Sequence, residues 1–452
     1  MAAREKFGSR AAVIMAMAGS AIGLGNIWRF PYLAGENGGA AFVFIYIAFT
    51  LLLSLPIFLA ESVLGRRAGT NSRMAISSLI PGRAGRWLGM LTVITPLWIL
   101  SYYSVVGGWS LDYLFQACRL SFIHTPPEQL TGSFGLFIGR TWAPLACHLA
   151  FMLVTVIIVA FGVKSGIEKF SKFCIPVLFV LIVVIMVYSL SLPGASKGVE
   201  YLVKPDFSKV TGHTFLDALG QSFYSLSLGM GIIITYSSYV SKEENLLVAG
   251  VGTSVCDMLF AYLAGFAIMP AVFAAGIAPG SGPGLIFDTL PYIFSQMGQQ
   301  MPVISSVAAI LFFLTILFAA LTSSVSLMEV GVAYLTETRN ISRRKACVWL
   351  FLLCGALGTL ASLSFGPLQQ VKLFNLSLFD FADSFASNVL LVLGGLLAVV
   401  LAGWVLPRRA VFQELTNRGT KQLNVKLFPV FYFLLRYVAP LGIGAMIVSI
   451  IL

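Results

Sequence analysis

The chain has 452 residues, of which 58% are hydrophobic and only 10% charged, and its formal net charge is +11. A soluble domain carries about 25% charged residues, so too little polar surface remains to cover a globule in water, and lipid must be the main solvent. The positive charge does not mark a nucleic-acid protein, because the basic residues fall in short clusters between apolar runs rather than in one patch.

A membrane-crossing helix needs about 20 mostly apolar residues. That rule predicts about eleven spans, at 11–35, 40–64, 88–119, 143–163, 166–191, 213–240, 246–275, 301–336, 345–365, 373–405 and 427–451. Residues 1–452 read as a single transmembrane domain with no room for a soluble one. The first run follows Arg4, Lys6 and Arg10 and leads into Trp28–Arg29, not into a small-residue cleavage site, so it reads as a retained span. Orientation follows from Lys and Arg. Clusters such as Arg66, Arg67, Arg73, Arg83 and Arg86, or Arg339, Arg343, Arg344 and Lys345, alternate with loops that hold only Arg119, Arg140, Lys197, Lys204, Lys209 and Lys372. The bias places the N-terminus in the cytoplasm, and an odd span count puts the C-terminus outside. Short termini and brief loops point to a prokaryotic inner membrane. The longest external stretches are 192–212 and 276–300, and residues 278–294 read as a short hairpin over the external face. The six cysteines are scattered without a CxxC pair, and His124, His148 and His213 stand alone, so neither a metal nor a redox centre is indicated.

Spans 1 and 6 are interrupted in comparable ways. Span 1 contains Gly19-Ser-Ala-Ile-Gly-Leu-Gly-Asn26, and span 6 contains Ser225-Leu-Ser-Leu-Gly-Met-Gly231. Gly19 and Gly23 also fit a small-xxx-small packing contact, but two matched breaks five spans apart point to a transporter site at the bilayer midplane. Backbone groups freed by unwinding cannot stay unpaired in lipid, so such breaks line a cavity. There the free N–H groups attract a carboxylate and the free carbonyls attract cations. Span 8 carries Thr322, Ser323 and Ser324, whose hydroxyls offer a neutral oxygen cage for Na⁺ or else bond back to their own helix. Asp257 is a carboxylate in an otherwise apolar span 7, which marks a functional group or a structural partner for a hydroxyl. Arg29, with Asp380 and Asp383 at the head of span 10, forms a charged set able to close an external vestibule, although Asp380 also reads as a loose surface charge.

These residues resemble the neurotransmitter:sodium symporters, in particular their bacterial branch. The resemblance runs from Arg4 to about residue 445 and rests on Gly23-Leu-Gly-Asn-Ile-Trp-Arg-Phe-Pro31, Glu36-Asn-Gly-Gly39, Gly166-Ile-Glu-Lys-Phe170, Gln221 to Gly231, Ile234-Thr-Tyr-Ser-Ser-Tyr239 and Leu321-Thr-Ser-Ser324. It implies an all-α polytopic membrane protein with a 5+5 inverted repeat and discontinuous helices 1 and 6. Repeat one would cover 11–191, repeat two 213–405, and an extra helix 427–451. The implied function is sodium-coupled symport of hydrophobic and aromatic L-amino acids by alternating access. One asymmetric chain carries the whole site, so a monomer suffices and neither a channel nor an intramembrane enzyme fits well. A narrower carrier of tyrosine or small aliphatic amino acids, or a non-transporting sensor on the same fold, are the alternatives.

The resemblance also implies roles for single residues. One sodium ion would meet Ala21, Asn26, Ser225 and Asp257 with the substrate carboxylate, and a second would meet Gly19, Ile22, Ala319, Thr322 and Ser323. The substrate would lie among Ala21, Gly23, Leu24, Gly25, Ile99, Tyr103, Tyr224, Ser225, Ser227, Met230, Ser323 and Leu327. Its carboxylate would meet the Leu24 and Gly25 amides and the Tyr103 hydroxyl. The external gate would be Arg29 with Asp383. The internal gate would be Arg4 with Glu337, aided by Phe7 and Tyr239; Phe7 departs from the family's usual Trp. Chloride-dependent relatives have a neutral residue near Asp257, so a fixed carboxylate there implies no chloride requirement. Gly229-Met-Gly231 leaves room for bulky side chains and is similar to the arrangement in a bacterial multi-hydrophobic amino-acid transporter. Gly166 and Pro176 in span 5 are positioned for helix unwinding, or else mark a simple proline kink.

Overall fold

The computed structural model describes residues 5–276 and 284–451. Within them the chain is an all-α bundle. Nine helical segments are long and apolar enough to cross a membrane, and a tenth crossing is a pair, α1 (Arg10–Ala21) and α2 (Gly25–Glu36), bent by 58° at its break. The nine include α3 (Ala40–Ala68), α5 (Gly82–Cys118), α6 (Trp142–Ala160), α7 (Val163–Leu190), α10 (Leu246–Ala274), α11 (Pro302–Arg339), α12 (Arg343–Leu363), α13 (Leu378–Val405) and α14 (Gln422–Ile450). A short α4 (Ser72–Ser77) links α3 to α5. The predicted span 213–240 is not one helix. It comprises α8 (Gly212–Ser225) and α9 (Ile232–Ser237), separated by irregular backbone.

Local chemistry sets these boundaries. Ser9 caps α1 by accepting from the Ala12 amide at 3.2 Å, and Thr211 opens α8 with a reciprocal capping box to Thr214. Asn245 caps α10 by accepting from the Leu247 and Val248 amides. Between α8 and α9, Ser227, Gly229 and Gly231 all have positive φ, at 55°, 76° and 69°. A right-handed helix cannot pass through three left-handed residues, so the chain must unwind there. The predicted span 373–405 starts too early for a similar local reason. Strands β1 (Lys372–Leu373) and β2 (Leu376–Ser377) form an antiparallel hairpin. Phe374 and Asn375 occupy its turn at φ 52° and 65°, as a type I′ turn requires, and the helix begins only at Leu378.

Large apolar side chains ring the outside, among them Phe44, Leu153, Val180 and Trp349. This is the surface that hydrocarbon covers. Buried inside are small residues that let helices approach closely. Gly65 of α3 packs against α9 so tightly that an added Cβ would sit 2.0 Å from the Ile234 carbonyl oxygen. Gly65→Ala is therefore expected to lower the thermal midpoint in detergent, corresponding to about 1–3 kcal/mol of overpacking. An unchanged midpoint would mean that α9 is free to shift.

In the expected hairpin at 278–294, residues 277–283 lie outside the described residues. The rest is helical, and Phe287 is fully buried in an aromatic cluster with Trp109, Tyr113 and Phe134. The span carrying Gly166 and Pro176 is helical throughout, from Val163 to Leu190. Gly166 has a packing role there: a Cβ would meet the Ile158 carbonyl oxygen at 2.2 Å.

Candidate functional site

The two breaks face each other across one cavity. It is lined by Ala21, Gly23, Leu24 and Gly25 of the first break, Tyr224, Ser225, Ser227 and Met230 of the second, and Ile99, Tyr103, Ser323 and Leu327 of α5 and α11. The structure thus brings together every residue expected around a substrate, with Ser20, Asn26, Ile232 and Ser326 beside them. Gly23 is required by space, since a Cβ would lie 2.6 Å from Ser323 Oγ and 3.2 Å from the Tyr103 hydroxyl. The Leu24 N–H faces that same hydroxyl at 3.4 Å. Ser227 Oγ donates to the Ser20 carbonyl at 2.8 Å, and Gln221 Nε2 donates to the Gly25 carbonyl at 3.2 Å. These bonds tie the second break to the first.

Behind Asn26 and Ser225 of the cavity wall stands Asp257, fully buried. Asn26 Nδ2 donates to its Oδ1 at 2.7 Å, Ser225 Oγ lies 2.8 Å from both carboxylate oxygens, and the Tyr46 hydroxyl donates to Oδ2 at 3.0 Å. Asn26 Oδ1 in turn accepts the Gly23 N–H at 3.0 Å. Asp257 therefore lies among the side chains expected at the first sodium position, in direct contact with two of them. No basic side chain forms an ion pair with it among the described residues. Such a carboxylate in a dry interior calls for a cation or a proton.

The second expected cation position is a cluster of neutral oxygens. Thr322 Oγ1 lies 3.0 Å from the Ala319 carbonyl and 3.4 Å from the Ile22 carbonyl, and Ser323 Oγ is 3.4 Å from the Ile22 and Ser20 carbonyls. Gly19 packs on the same spot, with a Cβ position 3.5 Å from the Thr322 side chain. Carbonyl and hydroxyl oxygens without a fixed charge suit a hard monovalent cation. Thr322 also bonds back to its own helix, at 3.2 Å from the Phe318 carbonyl, which is the alternative role expected for such a hydroxyl.

The gates are met only in part. Arg29 and Asp383 make no ion pair within 4 Å among the described residues; the guanidinium lies over the Tyr224 ring, 5.4 Å from its centroid. Aromatic stacking holds Arg29 above the cavity, while Asp383 is exposed. On the other face, Arg4 lies outside the described residues. Phe7 is buried and packs edge-on against Tyr236 and Tyr239 at 5.8 and 6.1 Å, and its N–H donates to the Tyr239 carbonyl at 3.2 Å. Glu337 accepts from the Asn71 backbone and side-chain amides at 2.7 and 3.1 Å. The N-terminal segment is docked further by Gly8 on Glu168 at 2.9 Å and by Glu5 on the Val163 amide at 2.6 Å. These contacts pack the N-terminal segment against this face of the bundle.

Two fully buried carboxylates were not foreseen. Glu61 of α3 accepts the Gly229 N–H at 2.7 Å, while its Oε2 has no hydrogen-bond partner among the described residues. Glu329 of α11 is fully buried, pairs with Arg343 of α12 and accepts the Tyr239 hydroxyl at 2.8 Å. Glu61 fixes the second break from behind. Glu61→Ala is expected to destabilise the protein by about 1–3 kcal/mol through the orphaned Gly229 N–H, with Glu61→Gln costing less. Thermal midpoints of the two variants measure the difference, and equal losses would remove the bond from the account.

Two discontinuous helices around one cavity, with a buried carboxylate behind its wall and neutral oxygens nearby, define a secondary transporter. The chain belongs to the sodium:neurotransmitter symporter family, which matches residues 4–126 and 137–452. It is a multi-pass, sodium-dependent membrane transporter. It is 37% identical over 446 residues to a sodium-dependent transporter of Bacillus subtilis, covering 99% of this chain and 97% of that one. It is also 27% identical over 418 residues to the sodium-dependent serotonin transporter of Drosophila melanogaster, covering 82% and 66%. Among solved structures it is similar to MhsT in complex with L-phenylalanine, with a TM-score of 0.89, 40% identity, and coverage of 99% of this chain and 100% of that one.

Proposed function

We propose that this protein carries hydrophobic and aromatic L-amino acids inward with two sodium ions and without chloride, by alternating access. The observation that carries this reading is the cavity between the two breaks. Its amide-bearing end meets Tyr103, and its far walls are Ile99, Met230 and Leu327, all buried and apolar. Such a cavity matches a zwitterion with an apolar side chain. The similarity to a protein bound to L-phenylalanine supports the same class. Asp257 supplies a fixed negative charge beside the first cation position and takes the place of an anion. The two cation positions use the oxygens of Ala21, Asn26, Ser225 and Asp257 and of Gly19, Ile22, Ala319, Thr322 and Ser323. Arg29 and Asp383 close the external path, and Phe7 and Tyr239 plug the internal one with the help of Arg4 and Glu337. The N-terminus lies in the cytoplasm of a prokaryotic cell, and one chain is the working unit.

The test is uptake of labelled tryptophan and leucine into proteoliposomes under an imposed Na⁺ or K⁺ gradient, with and without chloride. Uptake driven by Na⁺ alone and indifferent to chloride is the expected result. Chloride-dependent uptake removes the charge-balance role of Asp257, and failure of both substrates removes the substrate class.

A further inference from the structure

On the face that carries the N-terminal segment, Arg73, Arg83, Arg86 and Arg339 line an open cavity together with Trp87 and Tyr334. None of the four arginines forms an ion pair among the described residues. Two are nevertheless held in place: the Arg73 guanidinium lies 5.8 Å from the Tyr334 ring centroid, and Arg339 Nε donates to the Tyr334 hydroxyl at 3.3 Å. Tyr334 orders these two cations without neutralising them. Close packing brings α4 onto α5, since a Cβ on Gly89 would meet the Arg73 carbonyl oxygen at 2.5 Å and one on Gly85 the Ile80 carbonyl oxygen at 1.8 Å. Arg83 and Arg86 stand at the start of α5, a helix whose N-terminus has no side-chain cap and so adds its own positive potential.

Arg83, Arg86 and Arg339 are exposed and Arg73 is half-buried, so the four cations together give this cavity a positive potential that attracts an anion. The surroundings identify that anion's source. Trp87 is 74% exposed, and Ile94, seven residues further along the same face of α5, is 43% exposed. An apolar stripe therefore leads from the arginines toward the hydrocarbon, and an exposed Trp is the usual anchor at the headgroup level. We propose that this pocket binds the phosphodiester headgroup of an anionic phospholipid, with an acyl chain along Trp87 and Ile94. Guanidinium forks match phosphate oxygens in bidentate fashion. The proposal does not depend on which substrate the transporter carries.

Native mass spectrometry of the full chain in detergent, titrated with phosphatidylglycerol or phosphatidylcholine, tests it. Phosphatidylglycerol is expected to bind the wild type far more tightly than phosphatidylcholine. R83Q/R86Q is expected to weaken that binding about 30-fold, from the usual contribution of two basic residues at an anionic headgroup, while R83K/R86K keeps most of it. A thermal midpoint of R83Q/R86Q equal to wild type in lipid-free detergent shows the loss to be one of binding. Equal occupancy by both lipids, or an unchanged R83Q/R86Q, overturns the site. Displacement of phosphatidylglycerol by millimolar inorganic phosphate overturns the lipid assignment in favour of a free oxyanion.

Discussion

Asn26→Ala is expected to abolish sodium-dependent uptake and to remove the stabilisation that sodium gives the purified protein. Asn26 is the hinge between the first break and the buried carboxylate. Its Nδ2 donates to Asp257 Oδ1 at 2.7 Å and to Ser225 Oγ at 3.2 Å, while its Oδ1 holds the Gly23 N–H at 3.0 Å. Alanine removes these bonds and a fourth, from Nδ2 to the Asp257 carbonyl at 3.3 Å. Asp257 is then left with Ser225 and Tyr46 alone, and the Gly23 amide, which borders the cavity, is unpaired. A hydrogen bond to a charged group contributes about 1.5–3 kcal/mol, and an orphaned buried donor costs about 1–3 kcal/mol. Together they correspond to a rise of at least about 60-fold in the sodium concentration needed for half-saturation. A ligand that binds only the folded state raises its thermal midpoint, so titrating Na⁺ against K⁺ in a thermal-shift experiment reads the effect without transport. An Asn26→Ala protein with wild-type sodium dependence would take Asn26 out of the ion site.

The parts of this site that the sequence made legible are those where a residue type conflicts with its surroundings. Glycines inside apolar spans marked both breaks, and Asp257 stood out as a carboxylate with no charged neighbour in the chain. Glu61 escaped notice because Arg66 and Arg67 follow within two turns, so it reads as the polar end of a span; only the fold turns it inward onto Gly229. Tyr46 looks like one more aromatic in an apolar run, and its hydroxyl acquires meaning only when α10 places Asp257 beside it. Span 6 was foreseen as interrupted, but its strand-free, left-handed stretch from Ser227 to Gly231 depends on contacts as well as composition. A Cβ on Gly229 would lie 2.2 Å from the Leu391 carbonyl oxygen, and one on Gly394 would lie 2.0 Å from the Gly229 carbonyl oxygen. Those contacts join segments more than 160 residues apart, and no local pattern reports them. Charge pairs across a cavity are likewise conformational. Arg29 and Asp383 bear opposite charges near the same mouth, yet the guanidinium here rests on Tyr224.

The second large effect is expected at the face that carries the N-terminal segment. Arg343→Ala should destabilise the protein by about 3–5 kcal/mol, because it leaves the fully buried Glu329 carboxylate without its cation. The loss should also reach the plug. Glu329 holds the Tyr239 hydroxyl at 2.8 Å, and Tyr239 in turn carries the edge of the Phe7 ring and accepts the Phe7 N–H. An uncompensated charge draws water toward Glu329 and competes for that hydroxyl, so the N-terminal segment loosens. Hydrogen exchange over residues 5–10 should then rise while exchange in the middle of α5 stays slow. The decisive comparison adds Glu329→Gln. A neutral amide removes the stranded charge and can still accept from Tyr239, so the double variant should recover most of the loss in thermal midpoint and restore slow exchange at residues 5–10. That recovery is a coupling energy between contacting residues. If the two substitutions are instead additive, the ion pair does not hold this face shut, and the Phe7 and Tyr239 rings must close it by packing alone.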